Sequence, residues 1–508
     1  MPEDIPLTIA AVERLLGNPV CRSLLRMVCT TDDCGNRLEN ALDLYAGEER
    51  DVCWKCRLGS AFISRIIDHS TGMFGIKDKD VRAGLQEKMV KRSLVNVLSG
   101  ISRYGVTRPQ ILNAPFLVVW DFTHRCNLRC AHCYQDAQRA LPGELSMEEA
   151  LGVIDQLEEA GVGAIAFAGG EPLMRRDFYE VAAYASAHGF YVALATNGTL
   201  ITQSVAERLK ASGVEYVEIS IDGKDAESHD DMRGIPGAFN RSVEGLRRCA
   251  EAGLYTCVAT TVTSRNIDQV ADIHRLTGEL GARQLMCFNF IPTGRGADMV
   301  DQDITPVQRE ALMQQILAMD MNGKSPVALS TAPQFGRISV AGDEEMVSAG
   351  HFYIGSELGS KARVLSDFIG GCGAGRLYCS IEPTGDVQPC VFLPVVVGNL
   401  RESTFSEVWH GSPVLQSLRD RSDLKGSCGT CENRFICGGC RARAWAYYRD
   451  LKAPDPGCVN NAAYWEALVR ERRTALSPLP LHECPGCDAL PIGDAPVPQG
   501  IAVVQHRF

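Results

Sequence analysis

The placement of cysteine constrains this chain more than any other feature. Of its 21 cysteines, 17 fall into four groups: four in residues 29–56, three in 126–133, eight in 372–458 and two in 484–487. The chain begins with the acidic Met1-Pro-Glu-Asp, which is unlike a signal peptide, and its apolar runs are too short for a membrane span. We therefore expect a cytoplasmic protein without a transmembrane segment. A reducing cytosol favours metal–thiolate sites over disulfides.

Charge argues against one large class of partner. The formal net charge is −11, from 51 basic and 62 acidic residues. Nucleic-acid-binding proteins usually present a basic surface, so we expect no nucleic-acid partner. Hydrophobic residues make up 45% of the chain and charged residues 22%, which is typical of a folded globular protein.

The middle of the chain alternates between two hydrophobic patterns. Short β-branched or aromatic runs predict six strands, at 116–122, 164–168, 190–196, 214–221, 255–262 and 284–291. Five helical patterns lie between them, and the first opens on a capping box at Ser146–Glu149. This alternation predicts an α/β fold with a parallel sheet. Six strands are too few for a closed eight-stranded barrel, so we predict a partial (β/α)6 TIM barrel.

These patterns divide the chain into five predicted segments. They are a mainly helical metal-binding domain at 1–110, the α/β core at 111–325, a linker at 326–367, a cysteine-rich domain at 368–460 and a tail at 461–508.

Three cysteines follow the first predicted core strand. Cys126, Cys130 and Cys133 have the spacing Cys-x3-Cys-x2-Cys. A [4Fe–4S] cluster normally takes four thiolates, so three would leave one iron open for chemistry. The alternative is a zinc knuckle completed by His124 or His132.

Small and polar residues recur where the other predicted strands end. They are Gly169, Gly170, Glu171 and Pro172 after the second strand, Asn197 after the third, and Ser220 and later Arg233 after the fourth. Active sites of such barrels collect at these carboxyl ends. Glycine there lets a ligand approach the backbone closely.

These motifs resemble those of the radical S-adenosylmethionine (radical SAM) superfamily. The resemblance implies that Cys126, Cys130 and Cys133 hold a [4Fe–4S] cluster whose open iron binds S-adenosylmethionine. Gly169–Pro172 would hold the methionine amino group, Ser220 and Arg233 the ribose and carboxylate region, with Asn197 nearby and Tyr134 near the adenine. The implied activity is reductive cleavage to a 5′-deoxyadenosyl radical, which abstracts a substrate hydrogen. Flavodoxin or ferredoxin is the implied reductant.

Eight cysteines follow the core. Eight thiolates suffice for two further [4Fe–4S] clusters, three in all, and two four-cysteine zinc sites are the alternative. The pattern resembles the SPASM iron–sulfur extension found beside radical SAM cores. That resemblance assigns Cys372, Cys379, Cys390 and Cys440 to one auxiliary cluster and Cys428, Cys431, Cys437 and Cys458 to the other.

Further motifs resemble the branch that contains maturases of haem d1 and of an alternative haem pathway, together with cofactor and peptide maturases. This branch implies a tetrapyrrole or other cofactor precursor as substrate, and Arg295, Arg441 and Arg443 are candidates to pair with its carboxylates. The alternatives are a peptide maturase, a lipid-modifying radical enzyme and a non-enzymatic zinc or iron–sulfur scaffold.

Two cysteine groups lie outside these domains. Cys29, Cys34, Cys53 and Cys56 predict a mononuclear zinc or iron site in the helical domain. Cys484-Pro-Gly-Cys487 predicts either a metal or redox pair or two unpaired thiols in the tail.

Overall fold

The computed structural model describes residues 18–74, 77–319, 325–341, 347–349, 352–354 and 362–474. The predicted pair Cys484 and Cys487 lies outside the described residues. None of the described helices is both long and apolar enough to cross a membrane.

The N-terminal region is mainly helical, as predicted, and it also contains a small hairpin. Its elements are α1 (Pro19–Val28), β1 (Thr31–Asp32), β2 (Gly35–Asn36), α2 (Arg37–Ala46), α3 (Trp54–Phe74), α4 (Asp78–Gln86) and α5 (Lys88–Tyr104). β1 and β2 pair antiparallel around a tight turn in which Gly35 has φ +88°. Apolar side chains of the helices, among them Leu25, Leu42 and Ile63, form a separate core.

A ten-stranded sheet organises the rest of the molecule, in the order β14-β13-β12-β3-β4-β5-β6-β7-β8-β9. Its strands are β3 (Leu117–Thr123), β4 (Ala164–Gly169), β5 (Tyr191–Thr196), β6 (Val214–Ser220), β7 (Tyr255–Val262), β8 (Gln284–Asn289), β9 (Val327–Ser330), β12 (Tyr378–Ile381), β13 (Asp386–Gln388) and β14 (Gly398–Asn399). The six predicted strands are β3 to β8, and all of them pair in parallel.

Two parallel strands extend this six-stranded core, one at each side. β9 pairs with β8, and β12 pairs with β3. β12 comes from the cysteine-rich region, so that region completes the sheet instead of forming a separate layer. The predicted linker at 326–367 also departs from expectation, because it contains β9, a helix at Gln334–Ala341 and a small hairpin of β10 (Val347–Ala349) and β11 (Phe352–Ile354).

Most of the helices that follow the strands pack in the main core of the sheet, whereas the helix Ala226–Arg233 lies beside the loop of Cys126–Cys133, where Ala131 N donates to Met232 O. In chain order the helices are α6 (Met147–Ala160), α7 (Phe178–Ala187), α8 (Gln203–Ala211), α9 (Ala226–Arg233), α10 (Ala238–Glu251), α11 (Val270–Glu279), α12 (Pro306–Met319) and α13 (Gln334–Ala341). The predicted capping box opens α6, and Gly161 closes it at φ +87°. Shorter 3-10 turns lie at Pro172–Met174, Ile267–Gln269, Gly294–Gln302 and Val459–Tyr464.

Strand alternation decides which side chains face the helices and which face the concave interior. On β3, Trp120 and Phe122 point outward and pack with Phe167 and Phe178 in the main core. Asp121 therefore points to the interior. The C-terminal helices α14 (Ala362–Ile369), α15 (Phe405–Gly411), α16 (Pro413–Arg419), α17 (Gly426–Thr430), α18 (Arg441–Tyr448) and α19 (Trp465–Thr474) complete the described chain.

Candidate active site and metal centres

The loop with the first three core cysteines leaves β3 at the carboxyl edge of the sheet. It is held against the end of β4 by two backbone hydrogen bonds, from Gly170 N to Thr123 O (2.7 Å) and from Glu171 N to Arg125 O (2.8 Å). A Cβ at Gly170 would lie 2.3 Å from Arg125 O. Glycine is therefore required there for the two backbones to touch.

The three thiols gather in one small apolar pocket. Cys126, Cys130 and Cys133 pack with Leu128 and Ala238. Burial raises the pKa of the Cys126 thiol to about 12, so a metal is needed to hold it as thiolate.

The alternative of a zinc knuckle does not fit this loop. His124 Nε2 lies 2.8 Å from Gln135 O, and His132 Nε2 lies 3.3 Å from an oxygen of Asp222. His124 Nδ1 lies 3.2 Å from Arg139 O, so both ring nitrogens of His124 face backbone carbonyls. Within the described residues, the three sulfurs also do not form a group close enough for one ion. Sulfur atoms that lie farther apart than the ligands of one ion suit a cluster of several irons.

A buried ion pair lies behind the cysteine loop. Arg233 Nη1 donates to Cys130 Sγ (3.6 Å), and its Nη2 lies 2.6 Å from Asp222 Oδ2. Burial would raise the pKa of Asp222, but the positive charge of Arg233 lowers it below the usual range. Burial lowers the pKa of His132 to about 4, so this ring is neutral. Arg233 therefore contacts a thiol of the cysteine loop, whereas the family resemblance implied a place at the ribose and carboxylate of S-adenosylmethionine.

Glu171 lies buried beneath the ligand-binding edge. Its carboxylate accepts hydrogen bonds from Thr196 Oγ1 (2.8 Å), Asn197 N (2.9 Å) and Leu173 N (3.2 Å). Burial nevertheless raises its pKa to about 7. The side chain thus ties the ends of β4 and β5 together, which leaves the backbone of Gly169–Pro172 as the part available to a ligand.

Asn197 and Ser220 mark the next two strand ends. Asn197 Nδ2 donates to Asn127 Oδ1 of the cysteine loop (2.8 Å). Ser220 is half-buried at the last position of β6. Asn197 thus contacts the cysteine loop directly, and Ser220 ends the next strand of the sheet at the same edge.

Tyr134 connects the cysteine loop to the interior of the sheet. Its hydroxyl donates to Asp121 Oδ1 (2.9 Å), and its ring lies 5.1 Å from that of Phe392. Gln135 Nε2 bridges Asp121 to Glu382, which follows β12. Burial raises the pKa of Asp121 well above its usual range and that of Glu382 to about 7. The sequence analysis missed this carboxylate pair, because β12 was not predicted and only its pairing with β3 brings Glu382 there.

The structure brings together the four cysteines that were predicted for the second auxiliary cluster. Cys428, Cys431, Cys437 and Cys458 line one cavity of about 350 Å³. Gly439 N donates to Cys437 Sγ (3.4 Å), and Asp455 N donates to Cys428 Sγ (3.4 Å). Backbone N–H donors of this kind stabilise cluster thiolates.

The other auxiliary group retains three of its four predicted members. Cys390 Sγ lies 3.1 Å from the hydroxyl of Tyr378. Burial raises the pKa of this phenol, and the nearby thiols of Cys372 and Cys440 raise it further. Cys379 is different. It is fully buried in the main core beside the charge of Arg419, on the helix-covered face of β12, opposite its neighbour Tyr378. The prediction of Cys379 as a cluster ligand is therefore corrected.

The three arginines predicted to bind substrate carboxylates are all engaged within the protein. Arg443 is fully buried, where it pairs with Asp303 and donates to Asn289 Oδ1 (2.6 Å). Arg441 donates to the carbonyls of Leu451 and Ala453, and Arg295 donates to Cys130 O (2.7 Å). Their role is to hold backbone and domain contacts in place.

The N-terminal group also differs from its prediction. Cys34, Cys53 and Cys56 come together, but the fourth donor in the group is Asp32. The thiol of Cys29 instead lies against the hydroxyls of Ser99 and Ser102, at a cavity of about 700 Å³ between the helical region and α6. The sequence signal that was available for Asp32 is its position two residues before Cys34 in a turn that ends in glycine.

Comparison with known proteins agrees with this geometry. Residues 120–277 match the model of the radical SAM superfamily, and residues 372–432 match that of an iron–sulfur cluster-binding domain, SPASM. The chain is 37% identical to an AdoMet-dependent heme synthase of Methanosarcina barkeri, over 68% of this chain and 97% of that protein. It is 35% identical to the mycofactocin maturase MftC of Mycobacterium ulcerans, over 71% and 92%.

The fold also has a counterpart among solved structures. SuiB of Streptococcus suis, bound to S-adenosylmethionine, superposes with a TM-score of 0.60 over 83% of this chain and 92% of that one, at 15% identity. With the cysteine loop at the carboxyl edge of a parallel sheet and relatives of this similarity, the chain belongs to the radical SAM superfamily and is an iron–sulfur enzyme with a SPASM domain.

Proposed function

We propose that this enzyme uses three [4Fe–4S] clusters and S-adenosylmethionine to abstract hydrogen from a carboxylate-bearing side chain of a tetrapyrrole precursor. One observation carries the chemistry: the three thiols of the cysteine loop gather at the edge where the parallel strands end. When bound, the cluster and S-adenosylmethionine supply a 5′-deoxyadenosyl radical.

The chain's own residues position and shield this chemistry. Cys126, Cys130 and Cys133 would hold the cluster, and the Arg233 guanidinium donates to one of its sulfurs. The backbone of Gly169–Pro172 would bind the amino end of S-adenosylmethionine. Buried side chains around the loop exclude water, which would otherwise quench a reactive intermediate.

The auxiliary cysteines support two further clusters. Cys428, Cys431, Cys437 and Cys458 would complete one, and Cys372, Cys390 and Cys440 would hold the other. The second group faces the interior near Tyr134 through Tyr378 and Phe392. These contacts support a role of this cluster in passing electrons between the outer cluster and the substrate, with flavodoxin or ferredoxin as the external reductant.

Positive charge at the cysteine loop supports a carboxylate substrate. Arg125, Arg129 and Arg139 are exposed on this loop, and no ion pair involves them within the described part of the chain. Guanidinium groups bind carboxylates in a bidentate manner. The relative with 37% identity, named as a heme synthase, supports the same substrate class.

The test is product formation under strict exclusion of oxygen. Purified, cluster-loaded enzyme with dithionite and S-adenosylmethionine should form 5′-deoxyadenosine faster when a carboxylated porphyrin is added, and deuterium on the porphyrin side chain should appear in the 5′-deoxyadenosine. Replacing Arg125, Arg129 and Arg139 together by glutamine should raise KM for the porphyrin more than it lowers kcat. Absence of stimulation by every carboxylated tetrapyrrole would contradict the substrate assignment.

A peptide maturase is the second candidate, favoured by the 35% identity to a mycofactocin maturase over 92% of its length. Stimulation by a precursor peptide, with a mass change in that peptide and none in the porphyrin, would establish it. Both candidates share the cleavage of S-adenosylmethionine. The assay therefore distinguishes the two substrate classes without depending on that shared reaction.

A further inference from the structure

Four donor atoms converge in the N-terminal region, far from the cysteine loop of the core in sequence. Asp32 and Cys34 lie on the β1–β2 hairpin, while Cys53 and Cys56 flank the start of α3. One donor atom from each lies within 4.8 Å of every other. The hairpin turn brings the first two donors to one side, and the Cys-x2-Cys spacing places the last two on the first helical turn.

The distances between the donor atoms match a single tetrahedral ion. Two Zn–S bonds of about 2.3 Å at the tetrahedral angle place sulfurs about 3.8 Å apart. Cys53 Sγ and Cys56 Sγ are 3.7 Å apart. A Zn–O bond of about 2.1 Å gives an oxygen–sulfur separation of about 3.6 Å, and Asp32 Oδ2 lies 3.9 Å from Cys53 Sγ.

The neighbours of this group orient and neutralise its donors. Arg37 Nε donates to Asp32 Oδ2 (2.7 Å), and Cys34 N donates to Asp32 Oδ1 (2.9 Å). Asn40 Nδ2, which is buried, donates to Cys34 O (2.8 Å) and lies 3.9 Å from Cys56 Sγ. Such partners fix ligand geometry at protein metal sites.

Charge balance also favours a bound divalent cation. Three thiolates and one carboxylate carry four negative charges, which Arg37 alone does not compensate. A divalent ion and Arg37 together leave one negative charge at a partly exposed site. Zinc accepts sulfur and carboxylate oxygen in one closed tetrahedral shell, whereas a rubredoxin-type iron site uses sulfur alone.

We propose that Asp32, Cys34, Cys53 and Cys56 bind one Zn²⁺, which fastens the β1–β2 hairpin to the start of α3. The site is closed by protein donors and is structural. It does not depend on the proposed substrate or on any cluster, so its failure would leave the proposed function untouched.

The full-length protein, purified without oxygen, permits a direct test by zinc K-edge X-ray absorption. Iron clusters do not contribute at this edge. We expect one zinc per chain with a shell of three sulfurs at about 2.3 Å and one oxygen at about 2.0 Å. A shell of four sulfurs would overturn the ligand set, and absence of zinc from protein produced with zinc in the medium would overturn the site.

Two carboxylate variants provide a matched comparison. Asp32→Ala should lose zinc to a chelator at least about tenfold faster than the wild-type protein. Asp33→Ala removes the same charge from the adjacent exposed residue and should retain zinc. Cys29→Ser should also retain it. Fast loss from Cys29→Ser together with retention in Asp32→Ala would overturn the proposal, and if Asp32→Ala does not fold, the absorption spectrum of the wild-type protein decides.

Discussion

The N-terminal donor group and the core cysteine loop look alike in sequence but differ in space. Each contains a Cys-x2-Cys pair, Cys53–Cys56 in the first and Cys130–Cys133 in the second, and one further cysteine that precedes the pair. In the first, four donor atoms lie within 4.8 Å of one another, which suits one ion. In the second, three thiols surround a pocket at the edge of the sheet. Spacing along the chain therefore does not choose between a mononuclear site and a cluster, because the backbone around the cysteines sets the donor separation.

In each region an arginine lies beside the donor group, and the two arginines have different partners. Arg37 pairs with the carboxylate Asp32, which is itself a donor of the N-terminal group. Arg233 donates to a sulfur, and its own counter-charge is the separate, buried Asp222. The first arrangement offsets part of the negative charge of the proposed zinc ligands. The second places positive charge beside a sulfur whose cluster must change its oxidation state.

The largest expected difference between the two regions is in activity. Cys130→Ala should lower formation of 5′-deoxyadenosine by more than about 100-fold, because it removes a cluster ligand. Cys34→Ala should keep most of the activity while losing the N-terminal metal. Anaerobic turnover with dithionite measures both. Equal loss in the two variants would show that the N-terminal region takes part in the chemistry.

Iron content extends the comparison to the cysteine-rich domain. Cys390→Ala should lose up to about four irons per chain, since one cubane depends on it. Cys379→Ala should keep the full iron content, because its side chain lies in the helix-covered core. Iron and sulfide analysis after anaerobic reconstitution measures the difference. Loss of iron from Cys379→Ala would restore the sequence-based assignment.

A pH effect is expected at the core site through Glu171. Burial raises the pKa of this carboxyl from about 4.5 to about 7. Its contribution to stability is therefore complete below pH 4.5 and is lost as pH rises through 7, by about 3 kcal/mol. Glu171→Gln should flatten this part of the pH profile of the unfolding midpoint. The exposed Glu148→Gln serves as control, and an unchanged profile in Glu171→Gln would contradict the role of burial.

The smallest expected effect concerns the reduction potential. Arg233→Met removes a hydrogen bond and a positive charge from Cys130, so the core cluster should become harder to reduce by about 60 mV or more, equivalent to about 1.4 kcal/mol. Arg37→Met should leave this potential unchanged. Redox titration followed by electron paramagnetic resonance measures the shift. Equal potentials in both variants would show that the contact at 3.6 Å does not tune the cluster.

Much of the core site could be predicted from the sequence, because its signals are local. The β-branched runs predict β3 to β8, and the cysteine spacing predicts the loop between Cys126 and Cys133. The same loop leaves no room for a side chain at positions 169 and 170, so both must be glycine. Each of these signals lies within a few residues of the feature that it predicts.

Errors arose where a role depends on which face of an element a side chain occupies. Cys379 and Tyr378 are adjacent, yet only Tyr378 faces the auxiliary cysteines, because successive residues of β12 point to opposite faces. Arg441 and Arg443 looked available for substrate, but packing of α18 against the core buries both.

By itself, the sequence determined the superfamily and the parallel core, and it predicted the cysteines of the reactive cluster, since these are encoded in contiguous motifs. Only the tertiary structure decided that Asp32 lies with three thiols where Cys29 was expected, and that Gln135 bridges Asp121 on β3 and Glu382 beside β12. The physical reason is that contacts between residues distant along the chain depend on strand pairing and turn geometry, which no local pattern specifies.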